Sequence, residues 1–220
     1  MSRMRNRLGF TLMELTIAMT ITTMIGLSVA GVSMVLGKAT EHGENFYQSV
    51  QTARNVVMRI QNVIRGAKLV TASSSTSLVL WADDTDGDGQ ISLSETILLS
   101  FDSQSGEIRL CRVVFPGTMP AQTREALDVT KTLTDLASVN TATGLITGNA
   151  YNEATVLATD VAALRFSVWP AAPLSRLVRF QLTIGTGDSA VTLRSAAATR
   201  AGATGRVQLV DSEYVLPAPN

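Results

Sequence analysis

From Phe10 to Leu36 the chain is an unbroken run of apolar and small residues that carries one charge, Glu14. These 27 residues, at ~1.5 Å of helical rise each, are enough to cross a bilayer core of ~30 Å. No proline interrupts the run, and Arg3, Arg5 and Arg7 precede it. A basic flank is retained on the cytoplasmic side of a membrane. The expectation is therefore a single-pass protein of the inner (cytoplasmic) membrane, with its N-terminus inside and its remainder exported. A secretory signal peptide is the rival. It would want a shorter apolar core followed by a small-x-small cleavage site, which Ala30-Gly31 meets only loosely. Glu14 suits neither a plain signal peptide nor a plain anchor, because a carboxylate near the start of a membrane helix costs a few kcal/mol unless it is paired. The helix dipole favours an acid at that end. A nearby amine would complete the explanation.

The segment Gly9-Phe-Thr-Leu-Met-Glu-Leu-Thr-Ile-Ala18, behind its basic leader, resembles the processing signal of type IV pilins and type II secretion pseudopilins. That resemblance implies residues 1–9 as a leader peptide, cleaved between Gly9 and Phe10 by a prepilin peptidase. Phe10 would then be the N-methylated new terminus. Glu14 would become the fifth mature residue and help dock the helix against a neighbouring subunit, whose freed α-amino group is the candidate amine. Residues 10–37 would form the transmembrane and filament-core helix, and 38–220 the exported head. The implied partners are the peptidase, other minor and major pilin-like subunits, the inner-membrane assembly platform and the membrane itself.

Past Gly37 the apolar run stops and a helical period continues. Phe46, Val50, Ala53, Val57, Ile60 and Ile64 recur at spacings of four and three, with Arg54, Arg59 and Gln61 off the stripe, as in an amphipathic helix. The same stripe would also serve as a short coiled-coil seam. Gly66 reads as the stop. Gly26, Gly31, Gly37 and Gly43 are weak points in a soluble helix, and the first two would permit close helix packing in a filament. After Ala67 short strand-like runs take over: Leu78–Trp81, Thr96–Phe101, a turn at Asp102–Gly106, Glu107–Phe115, then Leu164–Trp169, Arg176–Ile184 and Ala190–Ala196. Residues 116–155 are less regular, and Ala126, Val129, Leu133, Leu136 and Ala137 predict a short amphipathic helix there. The fold class expected is α+β, a long N-terminal helix laid on antiparallel sheet. Ser77-Leu-Val-Leu-Trp-Ala-Asp83, the strand pair after it and Val156–Phe166 also resemble the J-type minor pseudopilins and W-type minor pilins. These are low-copy subunits of a tip or initiation complex.

Asp84-Thr-Asp86-Gly-Asp88-Gly-Gln90-Ile-Ser92-Leu-Ser-Glu95 matches the twelve-residue EF-hand loop in spacing. Asp84, Asp86 and Asp88 would supply carboxylates, Gln90 its carbonyl, Ser92 its hydroxyl or a water, and Glu95 two oxygens. Gly89 allows the sharp turn and Ile91 is the inward anchor. Strand-like runs flank this loop where an EF-hand has helices, and there is no second loop. A solvated acidic turn is the plain alternative. Five carboxylates between Asp83 and Glu95 repel one another without a cation, which favours calcium as a structural cofactor.

Charges balance at 18 basic and 18 acidic side chains, so no basic field for nucleic acid is expected. Cys111 and His42 are the only cysteine and histidine. They exclude an intramolecular disulfide, a cysteine metal cluster and any site needing two histidines. No Gly-x-Ser-x-Gly elbow, phosphate loop or His-Glu-x-x-His motif is present, and the chain reads as a non-enzyme. Beside the filament subunit stand two other readings: a membrane-tethered calcium-binding or adhesive module that never assembles, and, far behind it, a tethered enzyme working through the carboxylates from Asp83 to Glu95.

Overall fold

The computed structural model describes residues 11–187, 190–200 and 203–217, with His42 described in its backbone only. The expected cleavage pair, Gly9 and Phe10, lies outside the described residues. Helix α1 (Leu12–Gly66) runs 55 residues and passes through Gly26, Gly31, Gly37 and Gly43 without a break. The chain divides at Tyr47/Gln48 into two units.

In the first unit the helix stands bare. Leu12, Leu27 and Met34 expose 82%, 74% and 73% of their surface. The hydroxyls of Thr16, Thr20, Thr22, Thr23, Ser28 and Thr40 each donate to a carbonyl three or four residues earlier, at 2.6–2.9 Å. These hydroxyls are therefore satisfied by their own helix, which is what surroundings without water demand. This helix is long and apolar enough to cross a membrane.

In the second unit α1 turns one face inward. Ala53, Val56, Ile60 and Ile64 are buried, with Val50, Val57 and Val63 at the margins of the same cluster. The expected stripe is thus present but rotated slightly, onto Val56 rather than Val57, and Phe46 is exposed. Polar side chains tether its flanks: Arg59 Nη1 donates to the Leu157 carbonyl at 3.1 Å and Gln61 Nε2 to Ser195 Oγ at 2.7 Å.

Two antiparallel sheets receive the helix. The larger joins β1 (Leu69–Ser73), β2 (Ser77–Trp81), β4 (Thr96–Asp102), β5 (Glu107–Val113) and β7 (Asn152–Ala158) in the order β1-β2-β4-β5-β7. The smaller joins β8 (Val161–Trp169), β9 (Leu177–Ile184) and β10 (Val191–Ala198) in the order β10-β9-β8. Two short ribbons complete the described strands. β3 (Ile91–Ser92) pairs with β6 (Thr130–Lys131), and β11 (Gln208–Val210) with β12 (Glu213–Val215). The fold is α+β, a long helix packed on antiparallel sheet.

The larger sheet is covered on both faces. Leu78, Leu80 and Leu99 join the cluster under α1, whereas Val79, Trp81 and Leu98 join a second cluster with Leu133, Leu136, Ala142 and Ile146. Two-sided burial explains why Leu78–Trp81 reads as a continuous apolar run rather than an alternating one. Helix α3 (Val139–Thr147) supplies Ala142 and Ile146 to that second layer. Cys111 lies in it as a buried free thiol, its pKa pushed up by desolvation. The smaller sheet buries one face, through Phe166, Val178, Phe180 and Leu182, and alternates as a half-buried sheet should.

The short helix expected from Ala126 to Ala137 does not form. Helix α2 (Ala121–Leu127) takes in only its first two positions, and α3 begins after it. Between them the Asp128 carboxylate accepts from the Ser94 amide and hydroxyl, and Thr130–Lys131 pair with Ile91–Ser92. Asp135 and Thr132 then close a local turn that delivers Leu133 and Leu136 to the core. Long-range partners hold the backbone where local spacing alone favoured a helix. Strands β1 and β7 were not anticipated. Asn152-Glu-Ala, at the start of β7, has low strand propensity and is extended because it pairs with Cys111–Val113 of β5.

Candidate functional site

Two places carry the chemistry singled out by sequence. The first is the start of α1. Glu14 Oε2 accepts from both the amide and the hydroxyl of Thr11 at 3.0 Å, and the Glu14 amide donates to Thr11 Oγ1 at 3.3 Å. Thr11-Leu-Met-Glu14 is a capping box, in which the N-cap hydroxyl and the N3 carboxylate satisfy each other's backbone amides. The signal was legible as Thr-x-x-Glu but was not singled out. Glu14 stays exposed at the positive end of the helix dipole.

The second place is the acidic loop between β2 and β4. The carboxylates of Asp84, Asp86 and Asp88 come within 4.8 Å of one another, and this cluster could bind a metal ion. Successive turn bonds gather them. Asp84 Oδ1 accepts from the Gly89 amide at 3.2 Å, Asp86 Oδ1 from the Asp88 amide at 3.1 Å, and Asp88 Oδ1 from the Gln90 amide at 2.6 Å. Gly87 and Gly89 have φ of 75° and 70°, a conformation that side chains other than glycine's resist. Ile91 is buried as the expected anchor.

Ser92 and Glu95 are placed differently from the three aspartates. Both are buried. Ser92 caps a single 3-10 turn, Leu93–Glu95, which stands where an EF-hand would start its second helix. Glu95 Oε2 accepts from the Trp81 indole at 3.1 Å and from the Ser92 amide at 3.3 Å, while Oε1 accepts from the Thr85 amide. Glu95 thus lies outside the aspartate group and braces the base of the loop.

Cations from the protein itself approach the loop. Lys68 Nζ lies 3.4 Å from Asp83 Oδ1 and 3.5 Å from Asp84 Oδ2, and it sits 5.3 Å from the Trp81 ring centre. The Asp84 amide, followed by Lys68, holds the Asp83 carboxyl below its usual range. Arg206 donates to the Gly89 carbonyl at 3.2 Å. Sequence reasoning missed Lys68, Trp81 and Arg206 as members of this constellation. Lys68 and Arg206 come from outside the twelve-residue spacing, and no local pattern links them to it.

No protein-family model matches the chain, and no curated protein matches it.

Proposed function

We propose that this chain is a pilin-like structural subunit, a minor pseudopilin or minor pilin, whose work is assembly rather than catalysis. The observation that best supports this reading is the continuity of α1. One helix presents a bare apolar first half and buries one face of its second half in the core of an α+β head. A side chain at the helix start, Glu14, carries the only charge in the apolar run. In this reading a prepilin peptidase cuts between Gly9 and Phe10 and methylates Phe10. The assembly platform then draws the helix from the inner membrane, and Glu14 docks it against a neighbouring subunit. The capping box keeps Glu14 at the helix start, where a neighbour's α-amino group would reach it.

The Asp84–Glu95 loop is proposed as a structural calcium site. Hard oxygens suit calcium, and the three gathered aspartates are its nucleus. Gln90 and Ser92 are the remaining candidate ligands, and Glu95 would close the shell with both oxygens only by giving up one of its present donors. Occupation would fix the connection between β2 and β4. The same cluster favours the second reading, a tethered calcium-binding or adhesive module that never enters a filament.

Intact mass separates the two. Protein from cells carrying a prepilin peptidase should weigh as a chain beginning at Phe10 with one added methyl, and a Gly9→Ala variant should keep its leader. Full-length mass in both would remove the filament reading and leave the tethered module.

A further inference from the structure

The outer face of the smaller sheet has a composition unlike the rest of the head. Residues alternate between its two faces: Phe166, Val168, Phe180 and Leu182 point to the helix side, so their strand neighbours point out. The pairing register sets Arg165, Gln181 and Arg194 side by side in one cross-strand row, and Ser167 beside Arg179 in the next. Trp169 follows on the same face and is 71% exposed. Strands β8, β9 and β10 contain no aspartate, glutamate or lysine. On the larger sheet both arginines of β5 are paired, Arg109 with Glu107 at 2.7 Å and Arg112 with Glu153 at 3.5 Å. Among the described residues Arg165, Arg179 and Arg194 make no ion pair. Strand spacing of ~4.8 Å places Arg165 and Arg194 ~10 Å apart, with Arg179 ~7 Å along the strand.

We propose that this face docks a carboxylate-bearing surface of another protein, with Arg165, Arg179 and Arg194 as the charged contacts and Trp169 as the apolar anchor. Arginine forks match carboxylates bidentately. Arginine and tryptophan are the residues enriched at protein interfaces and their energetic centres, where lysine is depleted. The charge count disfavours the other polyanions. Each basic residue strengthens attraction to an anionic bilayer roughly fivefold, so three give on the order of a hundredfold, well short of a lasting hold. Three phosphate contacts are likewise few for nucleic acid, which is bound through many. A face three strands wide and eight residues long covers roughly half of one partner's share of a standard interface. The surface belongs to the head and is independent of how the N-terminus is processed.

The test uses the full chain in neutral detergent micelles and measures binding by fluorescence anisotropy at low salt. The probes are labelled twelve-residue peptides of alternating glutamate, their glutamine counterparts, phosphatidylglycerol vesicles and a single-stranded 20-mer DNA. The glutamate peptides should bind, and the Arg165→Gln/Arg179→Gln/Arg194→Gln variant should bind them at least tenfold more weakly with its thermal unfolding unchanged. Trp169→Ala should weaken them severalfold without altering the salt dependence. Equal binding of glutamate and glutamine peptides, or of parent and triple variant, would overturn the proposal. So would arginine-dependent binding of the vesicles or the DNA in preference to the peptides.

Discussion

The indole of Trp81 donates to Glu95 Oε2 at 3.1 Å, joining the last residue of β2 to the residue just before β4 beneath the acidic loop. With the Thr85 and Ser92 amides, three donors converge on one buried carboxylate. A buried donor left without its acceptor costs ~1–3 kcal/mol, more when the lost partner is charged. Glu95→Ala should therefore destabilise the head by about 3 kcal/mol in calcium-free urea unfolding. A loss under about 1 kcal/mol would mean that the loop base does not depend on this carboxylate.

Calcium should stabilise the head through the aspartates. A single loop in an exported module has Kd on the order of 10⁻⁴–10⁻³ M, so 10 mM calcium would add roughly 1.4–2.7 kcal/mol by mass action. The measurement is thermal unfolding of the full chain in detergent with calcium and with chelator. The Asp86→Asn/Asp88→Asn variant should lose the response. An unchanged melting temperature in the parent removes calcium from the account.

Lys68 and a calcium ion would share Asp84, because the ammonium already lies 3.5 Å from Asp84 Oδ2. Lys68→Met keeps the stem over Trp81 and removes the competing charge. Calcium affinity should rise about threefold to tenfold, the screened value of one such charge. A calcium midpoint that does not move would place the ion away from Asp84.

Two surface carboxyls should make stability fall in acid. The Gln104 amide and then the Ser105 hydroxyl hold Asp102 below the usual carboxylate range, and the Thr132 amide and hydroxyl do the same for Asp135. A lowered folded pKa contributes stability that is present above the unfolded value of ~3.9 and is lost as pH falls through the folded value. The gap in urea midpoint between the parent and an Asp102→Asn/Asp135→Asn variant should be constant at neutral pH and close below about pH 4. A gap that persists to the acid limit would locate the effect in shape rather than charge.

Ile60 is fully buried where α1 meets the sheets. Truncating such a residue costs ~2–5 kcal/mol, so Ile60→Ala should lower stability in that range. Arg54→Ala on the exposed side of the same turns should change it by under about 0.5 kcal/mol. Equal effects would mean that the helix is not seated by this face.

The amino-acid sequence by itself determined the elements whose information is local. These are the helix from the apolar run to Gly66, the strands at Leu78–Trp81 and Thr96–Phe101, the turn at Asp102–Gly106 and the spacing of the aspartate loop. Each is written in periodicity or turn chemistry within a few residues, and Gly106, at φ 66° beside the Val161 carbonyl, shows why such a turn tolerates little else. The tertiary structure alone decided what depends on partners distant in the chain. Asn152–Ala158 became a strand because β5 offered an edge, and Thr130–Lys131 left the helical pattern to pair with Ile91–Ser92. Glu95 turned to Trp81, Lys68 reached Asp84, and three arginines met on one acid-free face. Hydrogen-bond partners and charge neighbours across tens of residues leave no periodic trace, so only the folded register brings them together.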